Sequence, residues 1–315
     1  MISTHTAKKR LEYANEHGID VATKHFNIAL DTLRRYAGLL RQREENDYSE
    51  NTDGIPKILI FDIETAPLEA WVWQMSIWRT NVNYTQIISE WFMLTWSAKW
   101  LFEETVMSDG LTSREALEEN DARIVKSLWD LLDQADIVVA HNGDKFDVPN
   151  MNTRFILNDI KPPRLYKTID TLKVARKQFG FTHNNLNALA KVFGFKGKVD
   201  VDFQLWVDCR RGSEEALKLM KEYNERDVLL LEEIYLKLRP WIKGHPNLNL
   251  LVEGDESNCP VCLSDNIHID EGNYYLTSSS KFPVFTCEDC GNSGRTKHSL
   301  ISREKSKNML VSISR

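Results

Sequence analysis

The chain has no apolar run approaching the roughly 20 residues needed to cross a bilayer, so no membrane segment is expected. Residues 1–10 are polar and basic and lack the apolar stretch of a secretory signal. The expected location is therefore the cytoplasm, that of the host if the protein is phage-encoded. Cysteine is scarce, five in 315 residues, and in that compartment disulfides are disfavoured. Charge of one sign is not in large excess either, with a formal net charge of −6. What is present is ordinary for a globular protein, 42% hydrophobic and 27% charged residues, at a length that allows about two domains. The charge is uneven: residues 1–43 hold eight Lys and Arg against four Asp and Glu, and residues 291–315 hold six against one. Basic ends around an acidic middle fit a metal-dependent site flanked by parts that touch phosphate, and fit a solvated surface nearly as well.

The stretch at residues 57–65 organises the rest. Ile58, Leu59, Ile60 and Phe61 form the apolar run of a buried strand, which then ends in Asp62-Ile63-Glu64. Residues two apart on a strand share a face, so Asp62 and Glu64 stand side by side with Ile63 turned into the core. Two like charges held that close need a positive partner, and a divalent cation with its preference for oxygen is the usual one.

Three further segments carry chemistry. A short apolar strand at 137–140 runs into His141-Asn142-Gly143-Asp144-Lys145-Phe146-Asp147, with Pro149 marking a helix start. Gly143 is expected to allow the tight turn, and either Asp144 or Asp147 is the acid of interest. A helix at 214–238, capped by Ser213, places Tyr223 and Asp227 four apart on one face. Two C-x2-C pairs, Cys259/Cys262 and Cys287/Cys290, lie 24 residues apart with two ribbon strands between them. That spacing predicts one structural Zn2+ held by four thiolates, a closed and non-catalytic site. Cys209 is left over as a small buried hydrophobe.

The remaining elements are expected as follows. Residues 7–17, 21–25 and 29–43 read as three helices, the second capped by Asp20 and the third bearing Arg34, Arg35, Arg41 and Arg43. That order resembles a helix-turn-helix, which would contact duplex DNA, or else makes a small helical cap. Six of the nine tryptophans fall within residues 71–100, where they either stack bases or pack the core. Strands are expected at 92–100, 104–107 and 165–172, a helix at 187–193, and one continuous helix at 113–134 capped by Ser113 with Leu117 in its buried stripe.

Taken together, FDIET at 61–65, HNGDKFD at 141–147 and YNERD at 223–227 resemble the three motifs of the DEDD superfamily of 3′–5′ exonucleases, in its tyrosine-containing branch. The second motif is most similar to that of family B DNA polymerase proofreading domains. The resemblance covers residues 54–243 and implies an α/β fold, a ribonuclease H-like mixed sheet flanked by helices. It also implies that Asp62, Glu64, Asp147 and Asp227 hold two Mg2+ or Mn2+ ions, with Tyr223 beside the attacking water; Phe146-Asp147 matches the pattern better than Asp144. Thr65, Asn142 and Phe146 stand as substrate-binding candidates, and Lys196 and Lys198 as phosphate contacts or solvated lysines. The domains expected are 1–46 (helix-turn-helix-like), 54–243 (exonuclease) and 253–300 (zinc ribbon), with a basic tail to 315. The expected activity is hydrolysis of nucleic acid from its 3′ end, DNA favoured over RNA, with no membrane partner. A transposase or resolvase-type nuclease and a non-catalytic DNA-binding regulator are the alternatives.

Overall fold

The structure, a computed structural model, describes residues 13–14, 19–26, 56–73, 82–197, 201–253 and 257–312. The chain divides into two compact units, Lys57–Leu238 and the flanking segments Met1–Pro56 with Arg239–Arg315. No helix among the described residues is long and apolar enough to cross a membrane.

In the N-terminal segment one helix, α1 (Ile19–Phe26), is described. Asp20, expected to precede this helix, lies within its span. The third expected helix, at 29–43, and most of the first lie outside the described residues.

The larger unit opens with β1 (Ile58–Thr65), followed by a hairpin of β2 (Glu69–Ala70) and β3 (Ile87–Ser89), then β4 (Met93–Trp100) and β5 (Met107–Gly110). Next come α2 (Ser113–Leu117), α3 (Ala122–Leu132), β6 (Ile137–Ala140), α4 (Asp147–Leu157), β7 (Lys167–Asp170) and α5 (Thr171–Gln178). Three helices close it: α6 (Leu186–Phe193), α7 (Gln204–Arg210) and α8 (Glu214–Leu238). Five strands form one mixed sheet in the order β5-β4-β1-β6-β7. β1 is central, antiparallel to β4 and parallel to β6.

The pleat of β1 sorts its side chains. Leu59, Phe61 and Ile63 enter a core with Ile124 and Leu128 of α3 and Met151 and Phe155 of α4. Asp62 and Glu64 point the other way, toward α8, which packs along β1, β4 and β5.

Five local expectations are corrected. The region 113–134 is two helices: Glu119 takes a left-handed φ of 53°, and the chain breaks before Asp121, whose buried carboxylate accepts from the Met93 N–H and pairs with Arg154. Leu117 falls just before that break and is 67% exposed. Thr112, not Ser113, caps α2, and its hydroxyl and the Glu115 carboxylate form a reciprocal capping box. The strand expected at 104–107 is β5, three residues later, and 165–172 divides into β7 and the start of α5.

The C-terminal segment holds a three-stranded antiparallel sheet of β8 (Ile267–Leu276), β9 (Lys281–Cys287) and β10 (Ser293–Arg295), and a short helix α9 (Arg303–Lys307). Beside the sheet the four cysteines cluster, an arrangement compatible with a zinc ribbon. Its third strand lies beyond the two that the apolar pattern marked.

Candidate active site and cysteine cluster

Carboxylate oxygens of Asp62, Glu64 and Asp227 lie within 4.8 Å of one another. Asp62 and Glu64 come from one face of β1, and Asp227 comes from the buried face of α8, at 2% exposure. Tyr223, one turn earlier on α8, is half-buried and meets Trp206 of α7 edge-on, with ring centroids 5.9 Å apart.

Asp147 is 1% exposed, at the first residue of α4. Its Oδ1 accepts the Ile63 N–H at 3.2 Å. β1 and β6 pair only at Ile58–Ile60 with Ile137–Val139, so beyond that point the carboxylate stands in for the missing strand neighbour. Its Oδ2 is buried with no hydrogen-bond partner among the described residues. Burial pushes the Asp147 carboxyl up to about 7, helped by the charges of Glu64 and Asp170 and opposed by the backbone N–H groups of Ile63 and Asp147. An acid so placed fits a cation, whose charge would oppose the shift. Asp144 instead faces outward and pairs with Lys173 at 2.6 Å.

The loop before Asp147 is tightly held. Asn142 adopts a left-handed φ of 71°, a conformation asparagine tolerates, and its carbonyl accepts the Lys145 and Phe146 N–H groups. Gly143 is needed for closeness, since a Cβ there would lie 2.5 Å from the Ala140 Cβ. Asp170 ties the loop down: it accepts from Asn142 N–H at 3.0 Å and from Leu172 and Lys173 N–H at the start of α5. Phe146 is 38% exposed. Thr65 pairs with Met93 across a bulge in β1.

Three residues at the site were not foreseen. Trp206 donates its Nε1–H to Glu64 Oε2 at 3.0 Å, and Asn224 donates its amide to Asp62 Oδ2 at 2.7 Å. Asp170 is the third. Asn224 does leave a trace, because it is polar at a position where the 3-and-4 spacing of Leu217, Met220, Val228 and Leu231 calls for an apolar residue. Asp170 precedes a helix and is of the capping type. Trp206 carries no local signal; its partner is 142 residues away.

The tryptophans of 71–100 serve different ends. Trp96 is buried and donates to the Ile124 carbonyl at 2.8 Å, whereas Trp71 and Trp73 are 74% and 94% exposed. Trp78 lies outside the described residues. Next to Asp227 a cavity of about 370 Å³ is lined by Lys196, Arg226 and Glu233; Lys198 lies outside the described residues.

In the cysteine cluster, Cys259 and Cys290 sulfurs are 3.7 Å apart, as are those of Cys262 and Cys287. A tetrahedral site with zinc–sulfur bonds near 2.3 Å has an edge of about 3.8 Å, so the four sulfurs fit zinc. The two C-x2-C turns are alike: Leu263 and Gly291 both have left-handed φ and donate N–H to the carbonyls of Cys259 and Cys287 at 2.9 Å. Cys209 is buried, and burial pushes its thiol up to about 12.

A mixed sheet flanked by helices, with acids converging on its central strand, defines a ribonuclease H-like α/β domain. The chain belongs to the RNase_H superfamily, whose sequence profile matches residues 59–239. Members of this superfamily are generally nucleases that use divalent metals. Among solved structures the chain is similar to the family B DNA polymerase from the hyperthermophilic archaeon Pyrobaculum calidifontis, with 15% identity and a TM-score of 0.41, over 62% of this chain and 27% of that one. The chain thus spans about a quarter of the polymerase's length. No curated protein matches it at a significant level.

Proposed function

We propose that the chain is a two-metal-ion 3′–5′ exonuclease that releases nucleoside 5′-monophosphates, with DNA as the favoured substrate. The observation that carries this reading is the convergence of Asp62, Glu64 and Asp227 within 4.8 Å, with Asp147 bonded to the backbone between the first two. Asp62, Glu64, Asp147 and Asp227 hold the ions. Two Mg2+ or Mn2+ ions in such a cage supply a nucleophile at neutral pH and neutralise charge on the attacking and leaving oxygens.

The chain's own groups do the rest. Tyr223, a phenol and so a poor general base, orients the attacking water by hydrogen bond. The Asn142–Asp147 loop, fixed by Asp170, holds the second-motif acid against β1. Asn142, Phe146 and the backbone at Thr65 border the path of the terminal nucleotide. Cys259, Cys262, Cys287 and Cys290 hold one structural Zn2+. The N-terminal segment, as a helix-turn-helix over residues 1–46, and the zinc ribbon over 253–300 bring nucleic acid to the exonuclease domain over 54–243.

The test is a gel assay on 5′-labelled single-stranded DNA and RNA with Mg2+ or Mn2+. A descending ladder that needs metal and disappears in Asp62→Ala is expected, stronger on DNA. An untouched label with every substrate and metal would overturn the reading.

A further inference from the structure

We infer that Trp206 and Asn224 are positioning residues for the metal-binding carboxylates, each holding one oxygen of a β1 acid and so fixing that carboxylate's orientation. The inference rests on the exonuclease reading of the site. Asn224 is fully buried and donates to Asp62 at 2.7 Å. Trp206 donates to Glu64 at 3.0 Å.

Both donors are neutral. A lysine or arginine in either place would cancel the negative charge that draws a divalent cation, while an apolar residue would leave the carboxylates to rotate and repel one another. An amide and an indole N–H fix orientation and keep the charge. Asn224 also comes at a cost. The Asn224 Oδ1 is buried with no hydrogen-bond partner among the described residues, which an apolar residue on the same face of α8 would avoid. Trp206 has a second contact, the edge-on Tyr223 ring at 5.9 Å. One side chain thus sets both a proposed ligand and the proposed water-orienting group.

Outer-shell partners of this kind change metal affinity by roughly 10- to 100-fold when removed. The experiment measures Mn2+ binding to the full-length protein by the EPR signal of free Mn2+, in wild type, Trp206→Phe, Trp206→His, Asn224→Leu and Asp62→Ala. Trp206→Phe keeps the ring against Tyr223 and loses the N–H; Trp206→His restores a ring N–H. Expected are Mn2+ affinities about 10-fold weaker or worse in Trp206→Phe and Asn224→Leu, and partial recovery in Trp206→His. In the same variants kcat at limiting Mn2+ falls and recovers at high Mn2+, while KM for DNA is unchanged. Wild-type Mn2+ affinity in both Trp206→Phe and Asn224→Leu, with their folds intact by circular dichroism, would overturn the inference. If wild type bound no more Mn2+ than Asp62→Ala, the metal reading of the site would fail and this inference with it.

Discussion

The Oδ1 of Asp147 accepts the backbone N–H of Ile63 at 3.2 Å, so the first residue of α4 is hydrogen-bonded to the middle of the D-x-E pair on β1. Asp62 and Glu64 flank the donor on one face of the strand, and α8 brings Asp227 to them from above that face. Asp147 is therefore placed by a backbone bond that a strand neighbour would otherwise make.

That placement has a pH signature. The Asp147 carboxyl is raised from an ordinary 3.8 to about 7, so the folded protein binds a proton that the unfolded chain has released. Stability of the metal-free protein therefore falls as pH rises through 7. Between pH 6 and 8 one such group accounts for roughly 1 kcal/mol. Urea denaturation of wild type in EDTA is expected to show this loss and Asp147→Asn to lack it. Added Mn2+ replaces the proton, so its stabilising effect grows over the same interval.

Gly143 sits against Ala140, and a Cβ there would lie 2.5 Å from the alanine's own. Gly143→Ala pushes the loop away from β6 and is expected to destabilise the fold by about 1–3 kcal/mol. It also loosens Asp147 from β1, so Mn2+ affinity falls as well. Chemical denaturation and metal titration of one purified variant measure both.

Tyr223 and Asp62 act differently in this account. Asp62→Ala removes a ligand of metals that work as a unit and is expected to abolish activity. Tyr223→Phe keeps Mn2+ affinity and loses part of the rate. Single-turnover kinetics at saturating Mn2+ separate the two, and equal inactivity would remove the water-orienting role.

The cysteine cluster predicts about one equivalent of zinc per chain, and folding of such sites depends on the metal. Cys262→Ser is expected to lose most of the zinc measured by elemental analysis. The ribbon strands around Tyr275 and Phe282 then lose amide-exchange protection, while the Lys57–Leu238 unit, compact in its own right, keeps its thermal transition.

Much of this architecture is legible in local pattern. The strands at 58–65 and 137–140 and the helix at 214–238 follow from apolar runs and helical spacing, because burial on both faces or along one stripe dictates those residue types. Elements whose reason lies elsewhere are harder to read. The break after α2 depends on Asp121 meeting Met93 and Arg154, and β5 is short and only half-buried. The acids themselves stand out as paired charges at the end of an apolar strand. Their supports do not, since Trp206 and Asp170 are defined by partners that only the fold brings near.

The most direct test of the central claim compares linear and circular single-stranded DNA of the same sequence with Mg2+. Attack from a 3′ end predicts that the linear molecule is shortened to nucleoside 5′-monophosphates while the circle survives intact. Linearisation of the circle would show internal cutting and contradict the account.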